Sequence, residues 1–245
     1  AFGVGYEVNT LLLDTISQRH HGTSVYLRPD EEIERAVSSF YEKIAMPVLA
    51  DVSLDFGDVQ VEDTYPYPLP DLFAGGQIVL VGRYHNPGDT TVTLRGTVNG
   101  RSVSYRFEGI RFRERGGAEF IPRLWATRKI GHLLTQIRLG GAEQELVDEV
   151  VDLSVRYGIV TPYTSFLIDE TEDALSAQGR RVLAKRELAA QPAPAAEAKG
   201  GAGAVEKAIV QGVLRQADGA VEPEAEVIRA IGARAFVLDD GIWTD

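Results

Sequence analysis

Cysteine is absent from the 245-residue chain, and methionine occurs only once. The lack of cysteine excludes disulfide bonds and thiolate metal sites, but it leaves the cellular compartment open. No apolar run approaches the roughly 18 residues that a membrane-spanning helix needs. Basic residues are outnumbered, with 25 Lys and Arg against 36 Asp and Glu, and the net charge of −11 argues against general nucleic-acid binding.

The first 46 residues alternate between strand-like and helix-like segments. Apolar runs at 1–6 and 24–27 are typical of buried strands, and Asn9 is a good N-cap for a helix between them. The apolar face of that helix is predicted to contain Leu12, Leu13 and Ile16. A second amphipathic helix follows and ends at Pro47. This β-α-β-α order is typical of an open α/β sheet, and because two strands are too few, we expect the rest of the sheet upstream.

Residues 47–115 are predicted to form an antiparallel β-sandwich. Asn99-Gly100 is a strong hairpin signal, and Pro87-Gly88-Asp89 marks another turn. The strand candidates between and around these turns are 48–56, 58–64, 76–85, 90–99 and 102–113.

Residues 116–188 are predicted to contain a helical hairpin, then a strand at 164–169 and a trailing helix. Gly140-Gly141 separates the two helices of the hairpin, and Trp125 is expected to pack against the β unit. The first helix is basic and the second acidic, which favours electrostatic complementarity across the hairpin. The basic side chains are those of Arg123, Arg128, Lys129 and Arg138.

The remainder of the chain is less regular. Residues 189–204 are rich in Ala, Pro and Gly and are predicted to be a flexible linker. Residues 205–245 are interpreted as an incomplete segment without a core of its own, comprising a short helix and a strand pair around Asp239-Asp240-Gly241. The expected fold class is α+β.

One motif invites a metal hypothesis. Asp51, Ser53 and Asp55 are similar to the Asp-x-Ser-x-Ser of a metal-ion-dependent adhesion site, whose hard oxygens suit Mg²⁺. The adhesion motif lies where a strand runs into a loop and helix, whereas this segment follows a helix and runs into more strand. A solvated strand face is therefore the favoured interpretation, and no residue of the chain is assigned as a catalytic, cofactor or metal site.

Other candidate motifs have plainer interpretations. Gly3-x-Gly5 lacks the third glycine of a dinucleotide-binding loop, so close strand packing is favoured. His20-His21 is interpreted as a helix C-terminal cap. Adjacent acids on a strand point to opposite faces and cannot flank one bond. The adjacent acids in question are the pairs Glu62-Asp63 and Asp169-Glu170. His85 and His132 are isolated and match no catalytic pattern.

Five phrases in order resemble the inter-alpha-trypsin inhibitor heavy chains over residues 1 to about 170. The first two resemble the end of their von Willebrand A domain and the junction that follows it, and the last resembles their signature near 157–168. The phrases are FGVGYEVNTLLLDTIS, FYEKIAMPVLADVSLDF, GGQIVLVGRY, LWATRKIGHLL and YGIVTPYTSFLI. The C-terminal FVLDDGIWTD resembles bacterial members of the family.

This resemblance implies a fragment of a protein with a vault-protein/inter-alpha-trypsin (VIT) domain and an A domain. Residues 1–46 would be the C-terminal part of the A domain, followed by a hybrid-like sandwich with the hairpin packed on it. The family's metal ligands precede the strand at Ala1, so no cofactor is expected here, while Mg²⁺ or Ca²⁺ is expected in the full-length parent. The implied role is non-enzymatic adhesion or protein–protein interaction, with a protein or matrix-like ligand, outside the cell or in a bacterial envelope.

Two alternatives stay open at this point. One is a hydrolase that uses acidic residues of the β unit, which would require a pocket with converging carboxylates of shifted pKa. The other is a chaperone or assembly subunit that uses the A domain to hold a partner. Gene neighbourhood separates adhesion from assembly.

Overall fold

A computed structural model of the chain describes residues 1–161, 199–217, 228–231, 234–239 and 242–244. The predicted strand at 164–169, the trailing helix and most of the predicted linker lie outside these residues. The elements are β1 (Phe2–Val4), α1 (Thr10–Arg19), β2 (Val25–Leu27), α2 (Ile33–Ile44), β3 (Pro47–Asp55), β4 (Val61–Tyr65), β5 (Leu72–Phe73), β6 (Val81–Tyr84), β7 (Gly88–Val98), β8 (Arg101–Phe112), α3 (Phe120–Gly140), α4 (Gln144–Tyr157), α5 (Ala202–Gln216), β9 (Ile228–Ile231), β10 (Arg234–Asp239) and β11 (Ile242–Thr244).

The N-terminal part is a β-α-β unit, as the sequence pattern predicted. β1 and β2 pair in parallel, with Phe2 opposite Val25 and Val4 opposite Leu27. The side chain of Asn9 accepts a hydrogen bond from the Leu12 N–H and so caps α1. α2 begins at Ile33, and its amphipathic stripe is only partly covered in the described structure.

The predicted antiparallel β unit is present, and the predicted sandwich arrangement stays a prediction. One sheet has four strands in the order β5-β3-β7-β8, and β4 pairs with β6 as a separate two-stranded ribbon. Asn99 and Gly100 both have positive φ angles, of 48° and 76°, and connect β7 to β8 in the two-residue turn that the Asn-Gly signal predicted. The strand predicted at 76–85 is shorter in the structure, at Val81–Tyr84.

Helix α3 lies at the centre of the described structure. Its residues are buried on nearly every side, since α4, α5 and the β4–β6 ribbon all pack against it. The main core contains residues of the ribbon, α3 and α4, with Ala126, Ile130 and Val150 fully buried. The indole N–H of Trp125 donates to the Asp63 carbonyl at 2.9 Å, which confirms the expected contact with the β unit.

The α3–α4 hairpin forms as predicted, with Gly141 ending α3 at a φ of 108°. α5 starts at Ala202, three residues before the predicted segment boundary. It packs on α3 and also joins a second core with Tyr26, through Val205 and Ala208. The helical part of the C-terminal segment is therefore integrated into the described fold, and the domain limits proposed from the sequence stay predictions.

The C-terminal strands form a three-stranded antiparallel sheet in the order β11-β10-β9. Leu238 lies opposite Trp243, which confirms the predicted strand pair, and Ala235 lies opposite Ala230 in the third strand. No helix in the described part of the chain has the combined length and hydropathy that crossing a bilayer requires.

Gly131 sets the distance between α3 and α5. A Cβ atom at this position would lie 2.8 Å from the Arg215 backbone nitrogen and 2.9 Å from the Leu214 Cβ. We expect Gly131→Ala to lower the free energy of unfolding by about 1–2 kcal/mol, because the overpacking cost exceeds the gain in helix propensity. Urea unfolding followed by circular dichroism measures this loss.

Gly140 provides the matched control in the same helix, since nothing lies within 4 Å of a Cβ built there. We expect Gly140→Ala to leave stability unchanged or to raise it by up to about 1 kcal/mol. Equal effects of the two substitutions would contradict the close α3–α5 contact.

Candidate functional site

The buried face of α1 is polar. Thr10, Asp14 and Ser17 follow one another at helical spacing and are 1%, 2% and 5% exposed, whereas Leu12 and Ile16 are 53% and 47% exposed. The sequence predicted one apolar face made of Leu12, Leu13 and Ile16. Leu13 does pack against the second core, whereas the other two side chains are exposed.

The polar stripe faces inward because hydrogen-bond partners lie beside it. Arg138 of α3 and the Tyr26 hydroxyl of β2 both bond Asp14. The Ser17 hydroxyl instead accepts from the Ala1 amine and from the Ser24 hydroxyl.

Asp14 and Arg138 form a buried ion pair at this place. The Arg138 guanidinium donates through Nη2 to the Asp14 carboxylate, and its Nε donates to Gln211 Oε1 at 2.7 Å. The Tyr26 hydroxyl lies 2.8 Å from Asp14 Oδ1, and Arg138 Nη1 lies 3.3 Å from Thr10 Oγ1. We name Thr10, Asp14, Tyr26, Arg138 and Gln211 the polar junction. It joins α1, β2, α3 and α5.

The electrostatics of the polar junction favour a fixed protonation state. Burial raises the pKa of the Tyr26 hydroxyl, and the neighbouring Asp14 carboxylate raises it further, so the hydroxyl stays a donor. A buried ion pair repays its desolvation only when its remaining donors and acceptors are also satisfied, and here they are met by Gln211 and Thr10. Its chemistry is therefore structural and specifies how the elements meet.

A second charged cluster joins α3 to the ribbon and to α4. Lys129 Nζ lies 2.8 Å from Asp63 Oδ2, 2.7 Å from Glu149 Oε1 and 5.3 Å from the centre of the Trp125 ring. Burial lowers the pKa of the amine, but the hydrogen bonds with Asp63 and Glu149 outweigh it and the net shift is upward. The amine stays protonated, which excludes it as a nucleophile or general base at neutral pH.

The basic residues of α3 do not all face α4. Lys129 contacts Glu149 and confirms complementarity across the hairpin at that position. Arg128 instead donates to the Ala217 and Tyr65 carbonyls at 2.7 and 3.1 Å, and Arg138 belongs to the polar junction. The prediction was therefore wrong for these two arginines, because backbone carbonyls and Asp14 from outside the hairpin satisfy them.

His132 is packed between aromatic rings. Its ring centre lies 5.4 Å from that of Tyr65 and 5.9 Å from that of Tyr67. Burial lowers the pKa of the imidazole, and the positive charges of Arg215 and Lys129 lower it further. The folded chain therefore favours the neutral ring.

The Asp51–Asp55 motif lies on β3 next to β7, but its three oxygen-bearing side chains do not form a cage. The register shifts between Ala50 and Ser53, and Asp51 has a φ of 50°, so the simple strand alternation is broken. Asp55 lies 3.2 Å from Arg95 Nη2 and accepts from the Gly57 N–H at 3.0 Å. Across the described residues, no group of three or more acids, histidines or cysteines is arranged to hold a metal ion.

The acid pair of β4 is divided between separate contacts, but regular strand alternation is not the cause. Asp63 has a φ of 48°, and the register shifts between Glu62 and Tyr65. Glu62 lies on the exposed side, 2.9 Å from His85 Nε2 and 3.7 Å from Arg83 Nη1, while Asp63 reaches Lys129. The two carboxylates thus serve separate contacts. Asp169-Glu170 lies outside the described residues.

The remaining candidates from the sequence, Gly3 and His20, have structural roles. A Cβ at Gly3 would lie 2.8 Å from the Tyr26 ring, which confirms close strand packing as the role of this glycine. His20 is the C-cap residue of α1, at the predicted place. Two clefts among the described residues are open at the surface, and neither is lined by Glu62 or Asp63. One is lined by Leu27, Glu31, Glu32, Arg35, Ala36 and Ser39, the other by Tyr6, Glu7, Val8, Asn9, Lys199, Gly200 and Gly201.

The polar junction was not identified from the sequence. Two signals for it are present: Thr10, Asp14 and Ser17 recur at i, i+4 and i+7, and Arg138 interrupts an otherwise apolar stripe of α3. Neither signal names its partner, because Asp14 and Arg138 are 124 positions apart.

No protein-family model matches the chain. Curated relatives are inter-alpha-trypsin inhibitor heavy chains: H3 of Mus musculus is 26% identical over 188 residues, covering 70% of this chain and 21% of that protein. H4 of Homo sapiens is 24% identical over 188 residues, covering 72% and 20%. The chain thus spans about a fifth of the length of these relatives. The matches support a related domain of the von Willebrand A and inter-alpha-trypsin inhibitor type.

The polar junction predicts a large stability effect. Arg138→Met leaves the buried Asp14 carboxylate without its cation, so we expect a loss of about 3–5 kcal/mol in the free energy of unfolding. The double variant Asp14→Leu/Arg138→Met should lose less than the sum of the single variants, since neither charge of the pair is then left without the other. Urea unfolding measures both.

An exposed pair is the control for this experiment. Asp55→Asn removes the surface partner of Arg95, and we expect a loss of less than about 1 kcal/mol. The assignment of the polar junction fails if Arg138→Met costs no more than Asp55→Asn.

His132 predicts an acid-sensitive stability. Since its pKa is lower in the folded chain than the ordinary 6.5, the unfolded chain takes up a proton first as the pH falls. The contribution of His132 to the free energy of unfolding is therefore fully present above pH 6.5, and it declines as the pH falls below that value. Comparing urea midpoints at pH 7.5 and 5.5, we expect His132→Gln to reduce the decline and the exposed-site variant His85→Gln to keep it. An unchanged decline in His132→Gln would exclude this residue as its source.

Proposed function

We propose that this chain is a non-enzymatic scaffold segment of a VIT and A-domain protein that acts by adhesion or protein–protein interaction. The observation that carries the proposal is the polar junction, which locks the N-terminal β-α-β unit onto α3 and α5. Because α3 also contacts the β4–β6 ribbon, surfaces on these parts keep a fixed relative orientation. The similarity to inter-alpha-trypsin inhibitor heavy chains over 70% of the chain supports this role.

The exposed apolar stripes support a larger parent architecture. Leu12 and Ile16 on α1 and Val37 and Tyr41 on α2 are at least 43% exposed. Contiguous exposed apolar surface marks an interface with something else. We propose that further strands and helices of an A domain in the parent protein cover these stripes. The parent would be extracellular or belong to a bacterial cell envelope.

Ligand binding by the parent is proposed to depend on Mg²⁺ or Ca²⁺ in A-domain loops upstream of this chain. The described residues do not fit such a site, because Asp51 lies at a break in the strand register and Asp55 is engaged by Arg95. No step of the proposed role within this chain uses a metal ion.

The hydrolase hypothesis has less support. It requires two carboxylates that converge in a pocket, and the two acids of β4 do not converge. Glu62 lies beside His85 and Arg83, whereas Asp63 lies beside Lys129. The hypothesis of an assembly subunit shares the A-domain requirement and differs only in the partner.

Isothermal titration calorimetry with MgCl₂ tests whether metal binding belongs to the parent protein and not to this chain. We expect this 245-residue chain to show no saturable binding, because no suitable oxygen cage forms among its described residues. The full-length parent, if it carries a complete Asp-x-Ser-x-Ser motif, should bind Mg²⁺ with a defined stoichiometry, and a variant with Ala at the motif's first Asp is its control. Failure of the intact parent to bind would reject the metal-dependent mechanism.

A further inference from the structure

Among the described residues, strand β8 presents a long unpaired edge. In the described part of the chain, β8 pairs only with β7 and ends the sheet order β5-β3-β7-β8. Seven consecutive residue pairs, from Val92–Phe107 to Val98–Arg101, are in regular register. An exposed strand edge is a row of backbone donors and acceptors that another extended chain can complete.

The side chains of this edge are exposed on both faces. Tyr105 and Phe107 point to one face, and each is 50% exposed. Arg106, from the alternate position, lies on the other face. Gly109, with a φ of 71°, marks a bulge that ends the regular stretch before Ile110. The edge therefore offers a regular ladder flanked by apolar and by charged side chains.

The charge of this segment is opposite to that of the chain. Residues 101–115 contain five arginines against two glutamates, hence a net charge of +3 in a chain whose net charge is −11. The ion pairs within reach are weak, since Arg106 lies 3.9 Å from Glu108 and Arg111 lies 3.8 Å from Asp89, all highly exposed. The positive charge thus remains available to a partner.

We propose that the β8 edge binds an acidic extended segment of a partner protein by strand addition. The exposed backbone edge supplies the hydrogen bonds, the arginines at 106 and 111 select acidic side chains, and Tyr105 and Phe107 contact the alternate apolar ones. Pairing between two copies of β8 is disfavoured, because it would bring two arginine-rich strands together. The inference rests on the proposed interaction role and specifies its partner.

Fluorescence anisotropy with designed peptides tests the inference. The probe is a labelled ten-residue peptide in which Glu alternates with Val and Thr, and it is added to the intact 245-residue chain. Two matched peptides carry Lys in place of Glu, or Pro in place of alternate residues so that backbone donors are removed. We expect the acidic peptide to bind at least about tenfold more tightly than either, since both the charge and the ladder are required.

Variants of the chain locate the binding. The double variant Arg106→Glu/Arg111→Glu should weaken the acidic peptide at least about tenfold, whereas Arg106→Lys/Arg111→Lys keeps the charge and should retain most of the affinity. Arg156→Glu, on the exposed side of α4, is a single charge-reversal control away from β8 and should leave binding unchanged.

Hydrogen exchange on the unmodified chain decides the mode of binding, whether or not a variant is destabilised. We expect the acidic peptide to protect amides of β8 and not those of α4. The proposal is overturned if the proline-containing peptide binds as tightly as the acidic peptide. It is also overturned if a single-stranded ten-nucleotide oligothymidine binds equally well without protecting β8. Either result would indicate general polyanion binding instead of strand addition. Absence of binding by the acidic peptide also overturns it, while leaving the Mg²⁺ experiment on the parent unaffected.

Discussion

The buried pair of Asp14 and Arg138 is the constraint on which the arrangement of the other elements depends. Burying two charges is costly unless each is met by further hydrogen bonds, and the hydroxyl of Tyr26 and the amide of Gln211 provide them. Each partner comes from a different element. A shift of any one of these elements would leave a buried charge without one of its hydrogen-bond partners. The ion pair therefore specifies one relative position for all four elements.

Helix α3 converts this local constraint into an arrangement of the larger structure. Arg138 near its C-terminal end holds α1 and α5, while Trp125 and Lys129 in its N-terminal half contact the β4–β6 ribbon. Between them, Gly131 allows α5 to approach closely. A helix that is buried on nearly all sides is a suitable core for a scaffold, because surfaces attached to its two ends cannot move independently.

The sequence predicted the elements better than it predicted their orientation. The cap at Asn9, the Asn99-Gly100 turn and the break at Gly141 depend on neighbouring residues, and each was correctly predicted. The inward face of α1 was predicted correctly for Leu13 and incorrectly for Leu12 and Ile16, because hydrophobic periodicity assumes an apolar partner. The actual partner is a cation 124 positions away, and no local pattern shows that distance.

In the candidate site, too, features set by neighbouring residues were predicted, and contacts between distant residues were not. Glu62 and Asp63 were predicted to be separated and do serve separate contacts, although Asp63 lies at a break in the strand. Close packing at Gly3 followed from the lack of a side chain. The destinations of Arg128 and Arg138 did not, since a basic helix beside an acidic one suggests a simpler pairing than the one that forms. Tertiary contacts between distant segments decide which charges are buried.

Native-state hydrogen exchange in low concentrations of urea tests most directly whether the polar junction makes one cooperative unit. We expect the most protected amides of α1 and α3 to exchange with the same free energy of opening and the same dependence on urea, because neither helix can unfold without breaking the Asp14–Arg138 pair. Opening of α1 at a free energy several kcal/mol below that of α3 would show that the two helices are independent units and that the polar junction does not lock them together.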